Sequence, residues 1–346
     1  MKSRKKTLTA IDLFAGAGGA SQGLTEAGYN ILAAVENNPA AAKTYAANHP
    51  SVRLYSCDIR QVRAACLRDE LALRPGSLTL LKACPPCQSF STLGKTDSED
   101  ERNDLVNEVW PFISILRPKS FILENVPGLR HDNRLFSLVR RIRAIGYGVR
   151  EYLVDAASFG IPQRRRRLIV VAIAGISSRE FPESLVDALP ISFDRSKRTA
   201  ADVFAVVRSL KKTDPIHRPR TLRPETLKRI RQIPIGGNRF DLPRRYRLEC
   251  HTKLKSRQCG ASYGRVRIDD VAPTMTTRCT TPACGSFIHP SEHRGITLRE
   301  AALIQSFPLS YKFEGGYDQI ERQIGNAVPV KLARALGLIA AKLSQQ

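Results

Sequence analysis

The sequence predicts an α/β fold, with a parallel sheet wound by helices and a second, smaller, largely irregular domain. Over roughly the first 175 residues, apolar runs alternate with helical patterns, the signature of βα units. From about Ser177 to Leu309 that rhythm gives way to prolines, arginines and short apolar runs. A last helical pattern, Val330 to Leu343, places Leu332, Leu336, Ile339 and Leu343 on one face and is expected to return to the first domain. The expected division is 1–176, 177–315 and 316–346.

Each element has its own signal. Strands are expected at Leu8–Phe14, Ile31–Glu36, Val52–Cys57, Leu78–Ala83, Phe121–Asn125, Tyr147–Val154 and Leu168–Ile173. Helices fit between them near Gly19–Ala27, Pro39–Asn48, Leu105–Leu116 and Asn133–Ile145. Pro39 suits a first helical turn, where its missing N–H costs nothing. Such an order implies right-handed crossovers and a cleft at the carboxyl ends of the strands.

The totals bound the partners. The 346 residues are 42% hydrophobic and 25% charged, enough for a sizeable core. No run of about 18 apolar residues is present, so no membrane partner is expected. The basic Met1–Thr7 leads into an apolar stretch broken by Asp12, a first strand and not a signal peptide. Eight cysteines are too sparse for a disulfide scaffold and suit a reducing cytosol. The charge is the unusual feature: 55 Lys+Arg against 32 Asp+Glu, a formal +23. Between Arg195 and Arg267 stand 21 Lys/Arg and 5 Asp/Glu. That excess calls for a polyanion, most often nucleic acid.

Four motifs carry chemistry. Asp12-Leu13-Phe14-Ala15-Gly16-Ala17-Gly18-Gly19 follows the first strand, where glycines let backbone approach a ligand. Glu36 ends the second strand and Asp58 the third. One carboxylate can accept from ribose hydroxyls and the other from an adenine amino group, which describes an adenosine-bearing cofactor. No Gly-Lys-Ser/Thr phosphate loop accompanies them. Pro85-Pro86-Cys87-Gln88 mounts a thiol where a strand ends, its approach fixed by two prolines. Glu124-Asn125-Val126 ends another strand and faces the same cleft. Gln163-Arg164-Arg165-Arg166-Arg167 enters a strand on which Arg165 and Arg167 share a face. Four arginines entering a buried strand need an anion on one face.

In this order the motifs closely resemble the DNA (cytosine-5) methyltransferase family, of the prokaryotic restriction-modification type. Arg294-Gly295-Ile296-Thr297-Leu298-Arg299-Glu300, with Gln305-Ser306-Phe307-Pro308, looks like that family's penultimate block. Gln323-Ile324-Gly325-Asn326-Ala327-Val328-Pro329 looks like its last. The resemblance implies a Rossmann-like sheet of the S-adenosylmethionine-dependent methyltransferases and a small target-recognition domain. It implies that Phe14, Gly16, Gly18, Gly19, Glu36, Asp58, Ile59, Asn326 and Val328 bind S-adenosyl-L-methionine. Cys87 would attack C6 of cytosine, Glu124 would hold the ring at N3 and its amino group, and Arg165 would contact the carbonyl. Pro86, Gln88, Ser91, Asn125, Val126, Gln163 and Arg167 would surround the base and DNA. The implied partner is double-stranded DNA, with the base flipped out and the loop Ser89–Asn103 closing over it. No regulatory domain fits in 346 residues; a stand-alone monomer in the prokaryotic cytoplasm, at the nucleoid, is expected, with a cognate restriction endonuclease as functional partner.

Two departures stand out. Where the family carries small glycines before Pro-Pro-Cys, this chain has Ala83-Cys84, creating Cys84-x-x-Cys87, a spacing shared with redox and zinc sites. A reversible Cys84–Cys87 bond under oxidation is the corresponding expectation. Cys250, Cys259, Cys279 and Cys284, with His251, offer a zinc alternative without a close pair. His289 and His293 read as surface or DNA-contacting groups. The rival functions are an RNA cytosine methyltransferase, whose Cys-Phe-Thr signature is absent, and a catalytically inactive DNA-binding homologue. Cys87, Glu124 and Arg165 speak against the latter.

Overall fold

Seven strands form one mixed sheet in the order β3-β2-β1-β4-β5-β7-β6. They are β1 (Leu8–Leu13), β2 (Tyr29–Val35), β3 (Arg53–Tyr55), β4 (Leu80–Ala83), β5 (Ser120–Asn125), β6 (Tyr147–Asp155) and β7 (Arg166–Ala174). The computed structural model describes residues 7–86, 101–208, 214–249 and 262–345, with backbone only for 101–103. Neighbours β3, β2, β1, β4 and β5 pair in parallel. β7 runs antiparallel to both β5 and β6, so the sheet is not wholly parallel as expected. The reason is connection length. Asp155 pairs directly with Arg166, and the segment between is too short for a crossover helix.

The helices of the sheet-bearing unit are α1 (Gly19–Glu26), α2 (Pro39–Asn48), α3 (Ala64–Glu70), α4 (Trp110–Leu116) and α5 (Asn133–Ala144). α2 starts with Pro39 after Asn38, whose side chain accepts from the Ala40 and Ala41 amides. α5 is capped by Asp132 and buries Leu135, Leu138, Val139 and Ile142. The single helix expected over Leu105–Leu116 is instead a series of tight turns, Glu101–Val109, followed by α4. Pro111 cannot donate to a preceding carbonyl, so the regular helix begins beside it. The core joins Ile11, Leu13, Leu81, Phe121 and Leu123 with the apolar faces of α3, α4 and α5, Phe112 among them.

Contacts divide the chain into two compact units. Met1–Phe159, Arg166–Arg195 and Val328–Gln346 form the first; Gly160–Arg165 and Ser196–Ala327 form the second. These limits differ from the divisions at 176 and 315 read from sequence. Residues near 190 stay with the first unit because Lys342 donates to the Ala188 carbonyl and Lys331 approaches Asp194. Residues beyond 315 stay with the second because Glu321 accepts from the Thr280 amide at 2.7 Å.

The second unit contains α6 (Ala200–Arg208), α7 (Pro224–Arg231), α8 (Leu298–Ile304) and α9 (Tyr317–Asn326). Among the described residues its β-pairing is limited to isolated bridges such as Arg265↔Ile288. Ile230, Ile233, Leu242, Tyr263 and Ile288 form a small core. Much of the rest is tied by buried arginine. Arg265 donates to the carbonyls of Ile233, His289, Glu292 and Ile230. Such ties satisfy irregular backbone that no ladder serves.

α10 (Val330–Leu343) closes the first unit against α1. Their backbones approach so closely that a Cβ on Gly23 would overlap the Val330 carbonyl oxygen. The stretch Tyr317–Leu343 has the length and hydropathy of a membrane span, but 78% of its apolar window is buried within the protein. Its helix is interrupted between Asn326 and Val330.

Candidate active site at the ends of the strands

The turn after β1 is built on left-handed backbone. Phe14, Gly16 and Gly18 have φ of 58°, 57° and 90°. The Ala15 amide donates to the Val35 carbonyl, tying the turn to β2. Gly18 then caps α1, which begins at Gly19. At the end of β2, Glu36 accepts from the Gly16 amide (2.8 Å, Oε2) and the Asn38 amide (2.7 Å, Oε1). Burial raises its proton affinity, and these two amides oppose the rise. A Cβ on Gly16 would meet nothing within 4 Å, so space over this turn is open. A shielded carboxylate beside half-buried glycine backbone with open space above it fits an adenosine-bearing group, because each oxygen retains acceptor capacity.

Past β3, Asp58 accepts from the Arg60 amide and, at 2.9 and 2.8 Å, from the Arg60 guanidinium. That pairing holds its carboxyl below the usual range. Ile59 packs into the sheet core.

Beneath the glycine turn lies a polar network that the sequence reading missed. Asp12 is fully buried on β1, opposite Lys82 on β4. Lys82 Nζ stands 3.0 Å from Asp12 Oδ1 as an ion pair without an aligned hydrogen bond. Asp12 Oδ2 accepts from Ser21 Oγ, which also bonds the Tyr45 hydroxyl. Burial alone would lower the proton affinity of Lys82; the charges of Asp12, first, and of Glu124 outweigh it, and the ammonium is retained. The signal was present: a lysine interrupting an apolar strand run needs a buried counter-charge.

Glu124 is the centre of the second cluster. It sits near the end of β5, 2% exposed. Cys84 Sγ donates to its Oε2 at 2.9 Å. Arg167 Nε lies 2.9 Å from Oε1 as an ion pair, yet Oε1 has no aligned hydrogen bond among the described residues. Asn125 Nδ2 donates to the Pro85 carbonyl, and Asn125 Oδ1 accepts from the Val126 amide. The Pro85-Pro86 pair is thereby fixed to the end of β5. Cys87, Gln88 and Ser91 lie outside the described residues, as do residues 89–100 of the expected closing loop. Val328 is buried in a narrow apolar cleft with Leu24, Leu80, Ile122 and Leu336, and Glu124 borders it.

The arginine run separates. Arg165 belongs to the second unit and is 3% exposed. It donates to the carbonyls of Met275 (2.9 Å), Ala327 (3.1 Å) and Gly325 (3.4 Å). Gln163 bonds Gln305 and accepts from the Met275 amide. Arg167, on β7, is the arginine beside Glu124. Asn326 ends α9 and is exposed.

Other expectations are revised. His289 is buried, not a surface group, and its Nδ1 accepts from the Ser291 and Glu292 amides. His293 Nδ1 contacts Arg265. Among the described residues no cluster of three His, Cys, Asp or Glu suits a metal. Burial pushes the Cys279 thiol up and Cys284 is exposed; Cys250, His251 and Cys259 lie outside the described residues.

A sheet of this order, with a glycine turn after β1 and carboxylates ending β2, β3 and β5, is that of an S-adenosylmethionine-dependent methyltransferase. The family model for C-5 cytosine-specific DNA methylase matches residues 8–340, and the chain belongs to that family. It is a DNA (cytosine-5) methyltransferase of the restriction-modification type. The chain is 34% identical to the Type II methylase M.HgiDII of Herpetosiphon aurantiacus, over 94% of this chain and 93% of that one. It is also 34% identical to the Type II methyltransferase M.PspPI of a Psychrobacter strain, over 96% and 78%. Among solved structures, a putative DNA modification methyltransferase from an E. coli prophage superposes with a TM-score of 0.70 at 24% identity, covering 98% of this chain and all of that one. S. pombe Dnmt2 follows at 0.66 and 20%, covering 97% and 99%. At those identities the likeness speaks for the fold.

Proposed function

We propose that this enzyme methylates C5 of a cytosine flipped out of duplex DNA, through a transient bond between Cys87 Sγ and cytosine C6. The observation that carries the reading is the environment of Glu124. Its buried Oε1 retains acceptor capacity, Arg167 flanks it, and Asn125 holds the diproline that precedes Cys87 in sequence. Glu124 would hold N3 and the exocyclic amino group. Arg167 would keep the carboxylate in place and face the ring carbonyl, the role that the sequence reading gave to Arg165. Arg165 is committed to three backbone carbonyls and would shape the second unit instead.

Cys87 as thiolate adds to C6, and the C5–C6 π electrons make C5 a carbon nucleophile. Negative charge developing toward N3 and the carbonyl oxygen would be met by a proton donated from the Glu124 carboxyl group to N3 and by the Arg167 guanidinium at the carbonyl oxygen. Once C5 carries the methyl group, a base such as water or hydroxide takes the C5 proton, the thiolate leaves and the C5–C6 double bond is restored. Phe14, Gly16, Gly18, Gly19, Glu36, Asp58, Ile59 and Val328 would hold S-adenosyl-L-methionine, which would supply the electrophilic methyl group. None of this reaches a stacked base, so the cytosine must leave the duplex, at a cost of a few kcal/mol.

The basic stretch Arg195–Arg267 supports a target-recognition role for the second unit, through phosphate contacts that position and base contacts that specify. The Type II naming of its bacterial relatives supports a cognate restriction endonuclease as functional partner; action as a monomer in the prokaryotic cytoplasm, at the nucleoid, is part of the same proposal. The test is transfer of labelled methyl to unmethylated duplex DNA and to RNA, with Cys87→Ser as control. DNA labelling that the substitution abolishes is expected. RNA labelling alone, or label that survives Cys87→Ser, refutes the reading.

A further inference from the structure

Cys84 departs from the glycine that the family resemblance leads one to expect, and its thiol is engaged. Its amide donates to the Leu13 carbonyl at 3.2 Å, anchoring this first residue beyond β4 to the end of β1. Its Sγ reaches across to Glu124 Oε2 at 2.9 Å. Arg167 Nε stands beside the other oxygen, Oε1. Glu124 is 2% exposed, so removing the thiol would leave Oε2 with little access to water.

We propose that Cys84 is a positioning residue for Glu124: its S–H fixes Oε2 and so leaves Oε1 as the edge offered to cytosine. The inference rests on the reading of Glu124 given above. The direction of the bond follows from chemistry. Burial, and then the charge of Glu124, push the Cys84 thiol up, so sulfur remains protonated and is the donor. A protonated thiol is a poor nucleophile and a poor metal ligand, which separates Cys84 from the role proposed for Cys87. The neighbouring cation Lys82 is already paired with Asp12 and does not replace this donor.

The experiment compares Cys84→Ala and Cys84→Ser with the full-length wild type. It measures kcat, KM for duplex DNA, KM for the cofactor, and the melting temperature. Loss of the donor in Cys84→Ala lowers kcat about tenfold, the effect of one hydrogen bond to a charged group, with cofactor KM unmoved. Cys84→Ser restores most of that rate, because a hydroxyl donates where the thiol did, and melts no lower than Cys84→Ala. If Cys84→Ala does not fold, Cys84→Val removes the donor with more of the volume retained and is read the same way. Unchanged kcat without the donor, or a serine variant no faster than alanine, overturns the inference. A wild type inert on cytosine in DNA would instead overturn the underlying reading, and this inference with it.

Discussion

Replacing Lys82 with methionine tests the polar network under the cofactor turn. The substitution keeps most of the side-chain volume and removes one charge. Lys82 and Asp12 are 7% and 0% exposed and 3.0 Å apart, so Asp12 would be left as a buried carboxylate. Breaking one partner of such a pair costs about 3–5 kcal/mol. Asp12 keeps its bond from Ser21 at 2.8 Å, which places the expected loss near the lower end, about 3 kcal/mol. Trp110 is the chain's single tryptophan and belongs to the sheet-bearing unit, so its fluorescence in urea follows that unit. The Asp12→Asn/Lys82→Met double variant, which buries no unpaired charge, should be more stable than Lys82→Met alone. Because the folded-state proton affinity of Lys82 is raised, its contribution is full below the unfolded value of about 10.4 and is lost only at higher pH. The cost should therefore be constant from pH 6 to 9. A loss under about 1 kcal/mol, or a double variant weaker than Lys82→Met, would refute the argument.

Three further outcomes are expected. Glu36→Gln removes a charged acceptor beside the Gly16 turn and should weaken S-adenosylhomocysteine binding about tenfold or more by calorimetry, with the urea midpoint little changed. Gly23→Ala places a methyl group against the Val330 carbonyl and 2.7 Å from the Arg334 amide; separating α1 from α10 should cost about 3 kcal/mol or more, read as a fall in urea midpoint. His289 is pushed down to about 4 by burial and by Arg294. Its contribution is full above the unfolded value of about 6.5 and fades as pH falls toward 4, so His289→Gln should flatten the loss of stability between pH 6.5 and 4.5.

The sequence made the strands legible where apolar runs ended in functional residues. β1, β2, β4 and β5 lie within a residue or two of the expected Leu8–Phe14, Ile31–Glu36, Leu78–Ala83 and Phe121–Asn125. Direction was hidden, because an apolar run such as Leu168–Ile173 reads alike in parallel and antiparallel strands. Only the short connection from Asp155 to Arg166 encodes the reversal of β7. The same strand explains the arginines. Period-two alternation applies from Arg166 onward, where β7 begins; Arg165 lies before it and follows the second unit. α3 was missed because seven residues with two buried side chains give too little periodicity. In the site, motif order located Glu124 and Glu36. The partnerships of Cys84 with Glu124 and of Lys82 with Asp12 depend on which strands adjoin, which local spacing does not state.

The most direct test of the account is covalent capture. Duplex DNA bearing 5-fluorocytosine in the target sequence is incubated with the enzyme and S-adenosylmethionine, and the adduct is mapped by peptide mass spectrometry. Fluorine at C5 blocks the elimination that would free the enzyme. The account predicts a stable complex joined through Cys87, lost in Cys87→Ser. A saturated methyl-donor complex that forms no adduct, or one joined through another residue, would contradict it.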